Sequence, residues 1–346
     1  MSNNNTGQSH ANRNQTHRSQ RKQRKKRLLK ITLLSLLLLC TVAGVFLYQI
    51  WGAIKQSYDP YQTDKRKQAV TLDEPFSILL IGADSRKATS NWRSDVILLA
   101  AINPKKHSVR LVSIPRDTYA PIANTGGDYR KINSSAYYGQ QAVNPQGPGP
   151  VKNTAETVEH FLNVPIDYYV KVNFQGFIDV VNTLGGVDVN VKFPFKQEQI
   201  GGKVISFKPG PTRLNGNEAL AYVRMRKHDP QGDAGRNIRQ QEVLTKLFDS
   251  AVSLKTLTQI GDLLDSVGNN LSMSIPPKDT LQLQSIYRSI PKKQIQSVRL
   301  RGENRRMKLW YYFVDDAERQ RVSGILRSQL GLKKEPVQPF RTKPAD

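Results

Sequence analysis

FSILLIG (76–82) is a continuous apolar run of strand length, and two more follow: VILLAAI (96–102) and VRLVSI (109–114). The turn signal Asn103-Pro104-Lys105-Lys106 separates the second from the third, so these two form a hairpin. Downstream, helical patterns over 154–163, 174–184, 216–225, 234–252, 278–289 and 315–330 interleave with strand patterns at 167–172, 187–193, 203–207 and 296–300. Alternation on that scale predicts an α/β protein, an α-β-α sandwich with a central mixed sheet.

The charged residues sit where those strands end. Gly82, Asp84 and Arg86 close the first run, Arg93 and Asp95 precede the second, and Pro115, Arg116 and Asp117 follow the third. If consecutive strands run antiparallel, the end of the first, the start of the second and the end of the third share one sheet edge. Three carboxylates and three guanidiniums then converge. Loop ion pairs are the ordinary explanation for such a cluster. Two aspartates also suit a Mg²⁺ ion, which takes a few carboxylate oxygens and completes its shell with water and phosphate. Arginine recognises the same phosphate through a planar fork.

A second basic stretch, AYVRMRKHDPQGDAGRNIRQQ (221–241), supplies another wall. Asn215 with Glu218 three residues later has the form of a capping box, so a helix begins there and carries Arg224 near its end, with Arg226 just beyond. Asp233 is placed to cap the next helix, which puts Arg236, Arg239 and Gln240 in its first two turns. Cations there oppose the helix dipole, a mismatch that a bound anion relieves. Arginines merely solvated at a helix end remain the competing explanation.

Farther out, ITLLSLLLLCTVAGVFLYQI (31–50) runs without a charge for long enough to cross about 30 Å of hydrocarbon. Arg21, Lys22, Arg24, Lys25, Lys26, Arg27 and Lys30 precede it, and Tyr48 and Trp51 mark its far end. The positive-inside rule therefore keeps the N-terminus in the cytoplasm and everything after it outside. No clean small-residue cleavage site follows, so an uncleaved anchor is expected rather than a signal peptide. The expected organisation is a basic disordered tail (1–30), a transmembrane helix (31–51), a juxtamembrane linker (52–73), an extracellular folded domain (74–332) and a flexible tail (333–346). The formal net charge is +24. The tail holds nine of the 52 Lys and Arg, so most of the surplus belongs to the external part, which points to an anionic partner. Cys40, the only cysteine, lies inside the apolar run, so no disulfide or thiolate metal site forms within one chain.

Five fragments in order resemble the LytR-CpsA-Psr family of Gram-positive envelope proteins: Phe76 through Arg86, Arg93-Ser94-Asp95, Ser113 through Asp117, Leu214 through Arg224, and Gly232-Asp233 through Gln241. The resemblance covers roughly 75–255, with Gly185-Gly186-Val187 also fitting, and thins beyond. It implies a phosphotransferase that moves a teichoic acid or capsule-type glycopolymer from a polyprenyl pyrophosphate carrier onto a muramic acid hydroxyl of peptidoglycan, with Mg²⁺, or Mn²⁺ in its place, on the pyrophosphate. Carried over, Asp84 and Asp95 would hold the metal. Arg86, Arg93, Arg116, Arg224, Arg226, Arg236, Arg239 and Gln240 would grip the pyrophosphate. Asp95, Asp117 and Arg116 would be catalytic, either aspartate serving as general base. Phe174, Phe177 and Val180 would line an entry for the polyprenyl chain or be ordinary core.

The five histidines (10, 17, 107, 160, 228) lack paired zinc spacing, and neither a P-loop nor a G-x-S-x-G elbow is present. Nucleic-acid binding conflicts with the expected external placement of the folded domain. A non-catalytic envelope polymer-binding or regulatory protein is the rival from another class.

Overall fold

The computed structural model describes residues 58–66, 68–84, 92–140, 143–226, 228–253 and 266–340. The expected anchor (31–51) and Arg86 lie outside them. Among the described residues no helix is long and apolar enough to cross a membrane.

The three opening runs form β1 (Phe76–Ala83), β2 (Ser94–Asn103) and β3 (Ser108–Ser113), paired antiparallel in succession. Short β4 (Tyr119–Pro121) and β5 (Tyr129–Lys131) make a separate hairpin. The one-turn α1 (Ser135–Tyr138) and then α2 (Pro150–Leu162) lead to β6 (Tyr168–Asn173), which joins β1 in parallel. Next come α3 (Phe174–Thr183), the strands β7 (Val187–Val191), β8 (Phe195–Glu198), β9 (Val204–Phe207) and β10 (Gly210–Leu214), then α4 (Gly216–Arg224) and α5 (Asp233–Ser253). The last part contributes β11 (Leu271–Met273), α6 (Thr280–Ser289), β12 (Ile295–Ser297), the hairpin β13 (Glu303–Arg306) and β14 (Trp310–Phe313), and α7 (Asp316–Gln329). The central sheet has the order β11-β6-β1-β2-β3-β12 and is mixed, β12 running parallel to β3 and β11 antiparallel to β6.

The apolar runs are unbroken because both faces are covered. Leu79, Ile81, Leu99 and Val112 pack with Val158 and Phe161 of α2 and Val322 and Leu326 of α7. Their neighbours along the strands, Phe76, Ile78, Ala100 and Val109, point the other way toward Ile286 of α6 and Ile290. A third cluster joins α3, α4 and α5 to the small β7–β10 and β8–β9 pairs.

Two expected boundaries move. The linker expected over 52–73 is fastened from Tyr58 onward: Tyr58 bridges Met273, Thr63 donates to Glu159, and Arg66 pairs with Asp167 at 2.7 Å. The tail expected from 333 is packed as far as 340, with Val337 buried and Phe340 against Phe161 and Arg319. Both segments are polar and aperiodic, yet a few apolar and hydrogen-bonding residues dock them, which periodicity does not register.

Candidate active site

The antiparallel order brings the end of β1, the start of β2 and the end of β3 to one edge. There the β1–β2 register shifts: Gly82 faces Val96 while Ala83 faces Ser94, leaving Asp95 as the extra residue of a bulge. A bulge bends the strand and re-aims a side chain, here a carboxylate. Gly82 is required beside it, because a Cβ would lie 2.9 Å from the Val96 Cβ. Asp84 donates its amide to the Arg93 carbonyl at 2.9 Å, and both residues are exposed. This backbone bond extends the β1–β2 pairing past Ala83, so Asp84 lies across from Arg93, two residues before Asp95.

Arg116 reaches across to Asp95 at 2.5 Å and lies 4.0 Å from Asp117. Asp117, only 7% exposed, also meets Lys131 at 2.8 Å and Arg226 at 3.9 Å. Among the described residues it is enclosed by Arg116, Lys131 and Arg226, whereas the more open Asp95 carboxylate meets Arg116. Lys131 was not anticipated. It arrives because Ile132 donates to the Thr118 carbonyl and Asn133 to that of Arg116, drawing the end of β5 against the loop after β3. A lone lysine in a hairpin of three-residue strands carries no sequence signal. On the neighbouring strand, Lys171 lies 5.5 Å from the Trp92 ring centroid, and burial lowers its pKa.

The second wall forms as its caps dictate. Asn215 and Glu218 make both bonds of the capping box, and Gly216 lets α4 approach α3 so closely that a Cβ would meet the Ile178 carbonyl oxygen at 2.4 Å. α4 ends at Arg224, whose guanidinium lies 5.0 Å from the Phe174 ring centroid. Because β6 is parallel to β1, Phe174 starts α3 at the same sheet edge, where Asn173 accepts from the Gly176 amide as its cap. Arg226 extends to Asp117 and links the walls.

Arg236 and Gln240 are buried in the first two turns of α5, and Gln240 donates to the Val223 carbonyl at 3.4 Å. Arg239, expected to grip the ligand, does something else. Its guanidinium pairs with Asp229, donates to the Tyr222 carbonyl at 3.1 Å and also bonds the Met225 carbonyl. It cross-links the end of α4, the following loop and α5, so its donors face protein. Of the three residues expected at a polyprenyl entry, Phe174 belongs to the cluster under α4 and Phe177 packs at its margin, whereas Val180 is half-buried and outside that cluster.

For a metal, Asp84, just past the end of β1, and Asp95, on β2, offer hard oxygen donors, and among the described residues no group of three or more His, Cys, Asp or Glu that could hold a metal ion is present. Two carboxylates with the remaining positions left to water and phosphate oxygens suit Mg²⁺ or Mn²⁺.

This is an α/β domain whose sheet edge gathers Asp95, Asp117, Arg116, Lys131 and Arg226. The sequence model of the LytR_cpsA_psr family matches residues 44–328, and the chain belongs to that family. The match runs well past 255, where the motif resemblance fades, because the C-terminal third supplies packing elements such as α7 rather than charged motifs. The chain is 35% identical over 301 residues, 84% of its length and 93% of the relative's, to polyisoprenyl-teichoic acid--peptidoglycan teichoic acid transferase TagU of Bacillus anthracis. The corresponding TagU of Halalkalibacterium halodurans is 36% identical over 298 residues, covering 84% and 92%. Among solved structures, TagV of B. subtilis superposes with a TM-score of 0.65 at 35% identity, covering 76% of this chain and 100% of that one. TagT bound to LI-WTA gives 0.63 at 33% identity, covering 78% and 97%.

Proposed function

We propose that this protein is a phosphotransferase that moves a teichoic-acid-type glycopolymer from a polyprenyl pyrophosphate carrier to a muramic acid hydroxyl of peptidoglycan. One observation carries the reading: Asp84, Asp95, Arg116, Arg224 and Arg226 converge on one sheet edge, in a chain whose relatives are named teichoic acid transferases. The acceptor oxygen bonds to the phosphorus bearing the polymer, the bond from that phosphorus to the bridging oxygen breaks, and polyprenyl phosphate leaves. Such transfer asks the protein mainly for positioning and charge stabilisation.

Arg116, Arg224 and Arg226 supply guanidinium forks for the pyrophosphate oxygens, with Arg93 at the rim and Arg236 and Gln240 behind. Asp95, the more open carboxylate, is the one within reach of an incoming hydroxyl, while Asp117 holds Arg116, Lys131 and Arg226 in register. Mg²⁺, or Mn²⁺, held by Asp84 and Asp95 would neutralise charge on the pyrophosphate. The apolar run 31–50 and the basic residues before it support a single-pass anchor with this domain outside the cell, where lipid-linked donor and peptidoglycan meet. A capsule-type polymer is the alternative cargo on the same chemistry.

The test is transfer by the full chain, given Mg²⁺, peptidoglycan strands and either lipid-linked teichoic acid or lipid-linked capsule polymer. Wild-type protein should attach one of these polymers to the strands and release polyprenyl phosphate. Asp84→Ala should lower that rate by about 10²-fold or more, with thermal unfolding nearly unchanged because Asp84 is exposed. A wild-type chain that consumes neither donor, or an Asp84→Ala variant at full rate, contradicts the reading. Polymer binding without turnover would make it a binding protein.

A further inference from the structure

The β13–β14 hairpin is not used by the chemistry above, yet it stands beside it. Tyr312 donates its amide to the Asp117 carbonyl at 2.9 Å and bridges Thr118, while Lys131 lies 5.5 Å from the Tyr311 ring centroid. The base of the hairpin is rigid: Tyr119 packs on Tyr311 and Phe313, and Tyr312 donates its hydroxyl to the Leu300 carbonyl at 3.1 Å.

Its tip is built differently. Met307 donates to the Leu309 carbonyl at 2.9 Å, closing a tight turn that leaves Leu309 57% and Trp310 54% exposed. Arg306, opposite Trp310 in the ladder, and Lys308 are exposed beside them. Arg305 is turned back, paired with Glu303 and lying over the Phe313 ring. Adjacent large apolar side chains held out in water on a fixed hairpin mark an interaction surface. Tryptophan with leucine, flanked by arginine and lysine, matches the boundary between acyl chains and anionic headgroups: the indole sits at headgroup level and the cations meet lipid phosphate.

We propose that the 306–310 tip inserts into the headgroup region of an anionic bilayer and holds the Asp117 side of the site against the membrane surface. The inference rests on the reading of the substrate as a lipid-linked pyrophosphate, since a soluble enzyme would not need such a contact. Leu309 is three positions before Tyr312, roughly 10 Å of extended chain, so the tip and the site edge share one neighbourhood.

The test uses the full chain in vesicles of equal parts phosphatidylglycerol and phosphatidylethanolamine, with Cys40→Ser and a single nitroxide at Leu309→Cys or, in a second protein, at Lys105→Cys. Lys105 lies in the β2–β3 turn, at the opposite end of the strands from the site. The label at 309 should be shielded from a water-soluble paramagnetic quencher and exposed to oxygen, while that at 105 stays aqueous. A tip label as aqueous as the control overturns the proposal. So does a tip label that is immobilised only by added peptidoglycan strands, which would make the hairpin an acceptor surface. In the same vesicles, Leu309→Ser with Trp310→Ser should slow transfer from a long-chain donor about tenfold while leaving binding of a short-chain, water-soluble analogue nearly unchanged. Normal wild-type transfer with an aqueous tip counts against this inference alone. A shielded tip without transfer counts against the phosphotransferase reading.

Discussion

Arg224 and Arg239 come from the same basic stretch and end in opposite situations. Arg239 is 6% exposed, and its donors meet Asp229 and two main-chain carbonyls. Arg224 is half-buried at the site edge, its guanidinium resting on the Phe174 ring. A guanidinium enclosed by acceptors is a structural cross-link, whereas one braced on an aromatic face keeps its hydrogen-bonding edge for something else. The charge is the same in both cases, and the surroundings assign the role.

The largest effect on stability should therefore come from Arg239, the cross-link. Arg239→Ala leaves the Asp229 carboxylate, 3% exposed, without its cation. Breaking a buried pair in this way costs about 3–5 kcal/mol. Urea unfolding should show that loss, and a variant with wild-type stability would mean that Arg239 is not the cross-link described.

A buried acid held by Thr63 and a main-chain amide sharpens the same contrast. Glu159 accepts hydrogen bonds from Thr63 and from the Ile166 amide, and burial pushes its pKa from the ordinary 4.5 up to about 7. As pH rises, the unfolded chain loses this proton first, so the folded state is progressively destabilised between about pH 4.5 and 7 and carries a constant deficit above. Each tenfold weakening of acidity in the folded state corresponds to about 1.4 kcal/mol, so that deficit is at most about 3.5 kcal/mol. Glu159→Gln should flatten the fall in Tm between pH 5 and 7.5 and stabilise the protein at the upper end. Identical slopes for the two proteins would show that Glu159 is ionised throughout.

The smallest effect belongs to a cation near the site in sequence but outside it in space. Arg130 is exposed and pairs with Asp128 at 2.9 Å, an arrangement worth about 0–1 kcal/mol. Arg130→Ala should leave both transfer and unfolding close to wild type. A large loss of transfer would extend the site around β5.

Much of this was legible in the residues. The apolar runs 76–82, 96–102 and 109–114 gave three central strands, and their antiparallel order alone brought Asp95 and Arg116 to one edge. The capping box at Asn215 and Glu218 located α4, because its two bonds depend only on local spacing. What escaped depends on contacts distant in sequence or on elements too short to show a period. Lys131 reaches Asp117 through three-residue strands, and the 303–313 hairpin looks like a charged loop until Tyr312 is seen on the Asp117 carbonyl. Arg236 and Arg239 are three residues apart on one helix, and spacing could not tell which of them would meet Asp229.

The account stands most directly on one binding titration: a polyprenyl pyrophosphate analogue against the wild-type full chain, Arg224→Ala and Arg224→Lys. A charge-assisted contact to phosphate is worth about 1.5–3 kcal/mol, so Arg224→Ala should weaken binding roughly 10- to 150-fold. Lysine keeps the charge but loses the fork, so Arg224→Lys should recover part of that affinity. An Arg224→Ala protein that binds the analogue as tightly as wild type would contradict the assignment of this edge to the pyrophosphate.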